Sequence, residues 1–472
     1  MRIIGRRHEQ KELTRYLQRR EADFLVVYGR RRVGKTFLLR EFFRNDIVFE
    51  ATGMAEGRMA DQLQNFSAAI RRQGGAGLTP TADWFTAFEN LRDLTAAAAT
   101  PARGKKVIFL DEMPWMNTPR SRFLSALEHF WNSWASAQPD ILLVVCGSAT
   151  SWLMKNLLKN RRGLHHRVTG RLVLQPFTLG ECEEFCSELG LPLTRKRILD
   201  AYMIFGGVPF YLRLLRPDLS LEQNIDELCF RPGAPLADEL SELYHSLFAH
   251  AENYLAVVAA LTRRSKGLTR EEIIAATGLP AGGGVTTVLN DLETCGFTRT
   301  YHDFTKPKQG AYHQLVDPFT IFALRYLTDR RPDGTVWLDG IDSPERQVWS
   351  GYAFERACLL HIDQIKAALG ITGVSTHLTA WRSMTTDPGA QIDLIIDRRD
   401  QTINLCEMKY SGAPYVIDKA YAMALRTKRA AFQAETGTKK DLHVTMVTTF
   451  GVVQGKNDDA VTSQVTMDDL FR

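Results

Sequence analysis

The sequence predicts an α/β chain of several domains, opening with a sheet between helices and closing with a smaller αβββαβ domain. Three observations predict it. Continuous apolar runs at Phe24–Tyr28, Val107–Leu110 and Ile141–Val145 lack polar alternation, as strands buried on both faces do. Stretches of helical period separate these runs. The length of 472 residues exceeds what one hydrophobic core supports.

Bulk properties narrow the class. A 44% hydrophobic and 24% charged composition is that of an ordinary globular protein, and a net charge of +5 permits contact with nucleic acid without arguing for it. Seven scattered cysteines form no CxxC and no zinc spacing, which reads as buried thiols in a reducing compartment. The first residues turn polar after Ile3-Ile4, and no apolar run approaches a membrane span, so a cytoplasmic protein without membrane contact is expected.

The elements then follow in order. Ile3-Ile4-Gly5-Arg6 is a short extended piece and a glycine turn, followed by an amphipathic helix through Glu9, Leu13 and Leu17. It is placed either to cover a nucleotide base or to serve only as an N-terminal helix. The strand at Phe24 runs into a loop of the form Gly-x4-Gly-Lys-Thr: Gly29, Arg30, Arg31, Arg32, Val33, Gly34, Lys35 and Thr36, with Phe37 opening a helix. Strand, glycine loop and helix together make a phosphate cradle. The glycines let backbone N–H groups approach phosphate oxygens, and the helix N-terminus adds its positive dipole end. Lys35 is expected on the β/γ phosphates and the Thr36 hydroxyl on Mg2+.

Ile47–Ala51 reads as a strand, 57–73 and 82–99 as helices, and Gly74–Pro80 as the turn between them. Lys106–Asp111 is a buried strand ending in Asp111-Glu112, where an open α/β sheet presents ligands. Asp111 is expected to hold Mg2+ through water, and Glu112 to polarise the attacking water as general base. A helix at Ser121–Ala137 leads to the strand Ile141–Ser148. At its exit, Ser148 or Thr150 either hydrogen-bonds the γ phosphate or the water, or caps a helix. The basic segment Arg161–Arg171, with His165 and His166, supplies either an arginine finger or solvated arginines, and precedes a strand at Leu172–Leu174. Helices at 178–189 and 194–204 precede Gly206-Gly207-Val208-Pro209, either a hinge or a loop bringing a lid onto the nucleotide.

Ile4-Gly5-Arg6…Glu9, the Gly29–Thr36 loop, Leu110-Asp111-Glu112, Gly147-Ser148 and Gly207-Val208-Pro209 occur in that order. In this the chain resembles the STAND branch of AAA-related ATPases, in particular the archaeal-ATPase-like group, over residues 1–235. The resemblance implies ATP rather than GTP and a P-loop NTPase αβα core at 1–175. It also implies a helical lid at 176–235 whose Gly207 and Pro209 contact nucleotide, and a slow nucleotide-controlled switch.

From 236 to 330 the pattern is two helices (Tyr254–Arg264, Thr269–Thr277), a glycine-rich turn at 282–284, a third helix (Val285–Cys295), then a hairpin (Phe297–Tyr301, Tyr312–Val316). This is the order of a winged helix-turn-helix. The third helix has Asn290 among Asp291 and Glu293 and no basic residue, and the hairpin has Arg299, Lys306 and Lys308. A protein-contact or relay role therefore stands ahead of DNA reading.

After a linker spanning 329–344, residues 345–472 read as helix (Glu345–Leu369), three strands (His377–Arg382, Gln391–Ile396, Thr402–Lys409), helix (Val416–Ala434) and strand (Leu442–Thr449). Asp393 on one strand and Glu407-Met408-Lys409 on its neighbour share a face by the period of two. Asp393 and Glu407 are expected to hold Mg2+, Lys409 to orient or activate a water, and Glu355 to add an acid. Order and spacing resemble the PD-(D/E)XK nuclease fold, a restriction-endonuclease-like αβββαβ domain, although Gln391-Ile392 stand where that family has its proline–aspartate pair. The alternatives are a salt-bridged sheet and a fold kept for binding without cutting. The reading is an ATP-driven switch controlling a nuclease-like domain acting on DNA or RNA, with self-assembly on nucleotide binding. The alternative is a regulatory scaffold with a silent C-terminus.

Overall fold

The computed structural model describes residues 2–75, 81–158, 167–305, 310–328, 336–383 and 390–472. Lys306, Lys308, the 329–335 linker and the segment from Arg161 to His166 lie outside the described residues, as do 76–80 of the expected turn. The chain forms two compact units, Met1–Gln175 and Pro176–Arg472.

In the first unit, strands β1 (Asp23–Tyr28), β2 (Ile47–Thr52), β3 (Lys106–Asp111), β4 (Ile141–Gly147) and β5 (Gly170–Val173) form one parallel sheet in the order β2-β3-β4-β1-β5. The three inner strands are buried throughout, and the two edge strands alternate. The inner strands therefore read as unbroken apolar runs and the edges do not. Period two sorts the sheet into two cores. Phe24, Val26, Ile108, Leu110, Leu143 and Val145 pack with helices Met59–Arg72, Trp84–Ala97 and Phe123–Ser133. Leu25, Val27, Val107, Phe109, Val144 and Cys146 pack with Arg7–Gln18 and Lys35–Phe42. The helix expected from Ser121 starts at Phe123, because Arg122 is left-handed (φ 58°).

The second unit begins with helices Leu179–Glu188 and Arg195–Phe205. The second ends on left-handed Gly206 and Gly207 (φ 65° and 69°), and Pro209 opens the short helix Pro209–Leu212. A Cβ on Gly207 would meet the Phe177 carbonyl oxygen at 2.2 Å, so this loop admits only glycine there. Helices Ala251–Thr262, Arg270–Thr277 and Gly283–Thr294 follow, with the expected glycine turn partly absorbed into the third. The hairpin β7 (Thr298–Tyr301) and β8 (Tyr312–Leu315) gains a third strand that the sequence did not suggest, β6 (Leu268–Thr269), in the order β6-β8-β7.

The last sheet, β13-β12-β11-β10-β9, is mixed. β9 (Thr376–Arg382), β10 (Gln391–Arg398) and β11 (Thr402–Lys409) are antiparallel neighbours. β12 (Asp441–Thr448) and β13 (Ser463–Thr466) continue parallel to β11. β13 and the closing turn Met467–Leu470 went unread in the sequence. The expected helix 345–369 is two helices, Pro344–Leu360 and Ile362–Ala368, broken at His361. His361 is fully buried; its Nδ1–H donates to the Ala357 carbonyl (2.7 Å), and its Nε2 accepts the Leu179 N–H (2.9 Å), one of the unsatisfied donors opening Leu179–Glu188. The hairpin also closes onto the last sheet: Asp303 bridges to Ala380 on edge strand β9, and the Phe304 ring meets Phe432 at 5.0 Å. The Phe304 N–H donates to the Ala380 carbonyl at 2.9 Å, so one of that edge strand's open backbone groups is paired.

Candidate functional site

The loop after β1 is shaped by its own backbone. Gly29 (φ 149°) passes so close to Leu174 that a Cβ would stand 2.2 Å from its carbonyl oxygen. Arg32 (φ 70°) and Gly34 (φ 90°) are left-handed, and a Cβ on Gly34 would face open space. Lys35 Nζ donates to the Gly29 and Arg30 carbonyls, both at 2.9 Å, so the cation lies across the mouth of the loop. Arg30 and Val33 are buried, Arg31 is half-buried, and Phe37 is exposed.

Period two puts Asp111 and Cys146 on the face packed against Lys35–Phe42. Thr36 Oγ1 donates to both Asp111 oxygens at 3.0 Å, and the Cys146 thiol donates to Oδ1 at 2.8 Å. Burial, then the Asp111 charge, push that thiol well above its ordinary pKa, so it stays a neutral donor. Arg40 stands 3.9 Å from Asp111 Oδ2. A hydroxyl against a nearly buried carboxylate is the all-oxygen pair that Mg2+ favours, and this donor set fits the ion.

Glu112, left-handed at φ 44°, turns its carboxylate to the end of β4. Its Oε2 accepts the Ser148 N–H at 3.1 Å and the Ser148 hydroxyl at 3.0 Å. Ser148 thus holds Glu112, a third role beside the phosphate sensing and capping that the sequence offered. The helix Thr150–Leu153 has no side-chain cap.

The N-terminal turn, with Gly5 and Arg6 both left-handed and half-buried Ile4 before them, reaches the loop from below. The Arg6 guanidinium is buried and donates to the Val33 carbonyl (3.0 Å) and the Gln175 carbonyl (2.6 Å). It clamps the phosphate loop to the end of the unit, a contact with no signal in the sequence beyond the Gly-Arg pair. Cys146, likewise missed, read only as the last residue of an apolar run. Gly207 and Pro209 belong to the second unit. Of the basic segment, Arg171 lies exposed on β5.

The C-terminal residues come together less completely. The β10–β9 register shifts between Ile392 and Ile395, which interrupts the alternation at Asp393. Asp393 accepts the Gln391 side-chain amide (3.2 Å), and its carbonyl accepts Arg299 (3.4 Å). Arg299 is held at 2.6 Å by Gln314, and burial lowers its pKa to about 10. Glu407 instead pairs with Lys428 of helix Lys419–Thr436 at 2.6 Å, and Lys409 Nζ lies 5.2 Å from the Tyr421 ring centre on that helix. Glu355 is raised to about 7 by burial, then by Asp393, and stands 4.0 Å from Arg356. Among the described residues, no three His, Cys, Asp or Glu side chains are grouped to hold a metal. The seven cysteines are free and buried, and no described helix is long and apolar enough to cross a membrane.

Residues 4–215 match the family described as an ATPase domain predominantly from Archaea. An uncharacterized protein of Methanocaldococcus jannaschii is 25% identical over 86% of this chain and 87% of its own length. An uncharacterized ATP-binding protein of the same organism is 37% identical over 50 residues, 11% of this chain and 85% of that one. Among solved structures, a Walker-type ATPase of Pyrococcus abyssi superposes with a TM-score of 0.46 at 16% identity, covering 69% of this chain and 96% of its own. The ORC2 protein of Aeropyrum pernix, solved in ADPNP–ADP complexes, gives 0.41 at 14%, covering 68% and 93%. From Ile4 to Leu215 the chain is thus similar throughout to an ATP-binding ATPase domain.

Proposed function

We propose that this protein is an ATP-binding, ATP-hydrolysing switch of the STAND type, cytoplasmic, whose nucleotide state controls a nuclease-like C-terminal domain. The observation that carries the first half is the joining of Thr36 to Asp111 beside a glutamate held in reserve by Ser148. Mg2+ bound there supplies charge neutralisation on the phosphates. Lys35 leaves the Gly29 and Arg30 carbonyls for phosphate oxygens, Thr36 would hold the ion through its hydroxyl and Asp111 through water, and Glu112 Oε2, once free of Ser148, takes the proton of the attacking water. Titration calorimetry with Mg2+-ATP tests this: wild type has a binding event that Lys35→Ala removes. An isotherm unchanged in that variant ends the reading.

For the second unit, the element order supports a winged helix-turn-helix passing the nucleotide state to a restriction-endonuclease-like sheet, with Asp393, Glu407 and Lys409 as its working groups on DNA or RNA. The docking of Phe304 on the last sheet supports a relay over DNA reading. A second reading, a scaffold with a silent C-terminus that assembles on nucleotide binding, is favoured by Lys428 standing on Glu407. Plasmid and RNA cleavage with Mg2+ or Mn2+, with and without ATP, decides between them: nicking lost in Lys409→Ala supports the first, and intact substrates the second.

A further inference from the structure

Asp393, Glu355 and Glu407, which the nuclease-like reading needs around one ion, are not grouped to hold one among the described residues. Two of the elements that carry them are instead tied to the winged-helix module by one chain of polar contacts. Arg299, on β7, donates through Nη2 to the Asp393 carbonyl (3.4 Å) and through Nε to the Gln314 side-chain oxygen on β8 (2.6 Å). The Gln314 amide donates onward to the Ser265 carbonyl (2.7 Å), in the turn before β6. That same carbonyl accepts the guanidinium of Arg356, the residue after Glu355. Gln314 is 2% exposed and Arg356 5%, so the middle of the chain is shielded from water, and cutting it leaves polar groups unpaired.

Both ends of the chain matter. The Arg299 bond lands inside the register shift between Ile392 and Ile395, where the ladder to β9 does not fix the backbone. The Arg356 bond fixes the helix Pro344–Leu360 one residue from Glu355. The module also brings charge. Lys266 and Arg299 both stand in the field of Asp393, and Lys266 in that of Glu355 as well. Arg356 adds a cation from the helix itself. A divalent ion arriving there meets positive charge already in place. Finally, the hairpin is seated on the sheet edge: the Phe304 N–H donates to the Ala380 carbonyl at 2.9 Å.

We propose that the winged-helix module is an inhibitory cap on the last sheet. While docked, it keeps Asp393 and Glu355 from joining Glu407 and stands its own cations where a divalent ion would bind; the site assembles when the hairpin lifts away. This rests on the nuclease-like reading of that sheet.

The test follows two signals in the full chain without nucleotide. One is Mn2+ binding by calorimetry; the other is hydrogen exchange, by mass spectrometry, of the peptide holding the Phe304 amide. Arg299→Ala cuts the polar chain, and exchange there should become at least tenfold faster. Mn2+ should bind at least tenfold more tightly than to the parent, and adding Asp393→Asn should abolish the gain, with Thr36 and Asp111 unaltered throughout. Lys266→Met removes a cation and leaves the polar chain whole, so it should tighten Mn2+ several-fold without changing the exchange. Unchanged exchange in Arg299→Ala overturns the proposal. So does a parent that already binds Mn2+ through Asp393 as tightly as the variants, a result that leaves the nuclease-like reading standing. Faster exchange without any Asp393-dependent Mn2+ binding ends that reading, and the proposal with it. Should Arg299→Ala fail to fold, an unchanged Mn2+ affinity in Lys266→Met overturns the proposal by itself.

Discussion

Asp111 and Glu112 at the end of β3 take their hydrogen bonds from neutral donors, a threonine and a serine hydroxyl, a thiol and an amide, with the Arg40 guanidinium standing off at 3.9 Å from Asp111. Glu407 at the end of β11 is held by a lysine, and Asp393 and Glu355 lie in the field of buried Arg356. The difference lies in what a divalent ion must displace. Replacing a hydroxyl contact costs one hydrogen bond, about 1 kcal/mol net, whereas replacing Lys428 breaks an ion pair and leaves a second charge to be accommodated. The first carboxylates are hydrogen-bonded by neutral groups, with a cation only at a distance. Glu407 is in direct contact with one, made of protein.

The largest effect that could break this comparison is at Glu112. Glu112→Gln keeps the side chain's shape and its bond from Ser148 but cannot take a proton. Turnover should fall by roughly 10²–10⁴ while ATP affinity stays within a few-fold. Phosphate release and calorimetry on the same preparation check it, and an unchanged rate removes Glu112 from the base role. Next in size is Lys428→Met. With Glu407 only partly exposed, losing its counter-charge should cost about 2 kcal/mol, between the surface and buried limits. Thermal melting measures the loss. A variant as stable as wild type would mean the pair is idle and the two sites are more alike than their contacts suggest.

A smaller effect, but one whose sign is informative, belongs to Ser148. If it restrains Glu112, Ser148→Ala removes one of two bonds on Oε2, about 1 kcal/mol, and steady-state hydrolysis rises up to fivefold. If Ser148 instead senses the γ phosphate, hydrolysis falls. The direction of change separates the roles.

The first site was legible because it is built from contiguous chemistry. Gly29–Thr36 and Asp111-Glu112 are local strings, and their strands are buried on both faces, so their apolar runs announce them. What escaped was contact between distant positions: Arg6 on the Val33 carbonyl, Cys146 on Asp111, His361 on the Leu179 amide. None of these leaves a periodicity. The second site was legible as spacing alone. Asp393 and Glu407 were assigned one face on strict alternation, and the register shift beside Asp393 is a local event that a count of residues does not contain. Likewise β6 is two residues long, too short for any pattern, yet it completes a three-stranded sheet.

A last test reads the electrostatics of the second unit through pH, where the wild type is expected to change least. His361 is buried neutral, its pKa lowered to about 4 from 6.5 mainly by desolvation. The unfolded chain therefore binds the extra proton between those values, and stability drops on acidification from 6.5 toward 4, by about 1.4 kcal/mol per pH unit. Glu355 runs the other way. Its pKa is raised from 4.5 to about 7, so the folded state holds the proton, and stability is lost as pH rises through that interval. Between pH 4.5 and 6.5 the two slopes oppose, and the wild-type melting temperature should change little on their account. Glu355→Gln deletes one slope and leaves the other, so the variant should lose stability steadily as pH falls from 6.5 to 4.5. Melting curves across that window decide it. A Glu355→Gln profile as flat as the parent's would mean that the fold does not hold the Glu355 proton.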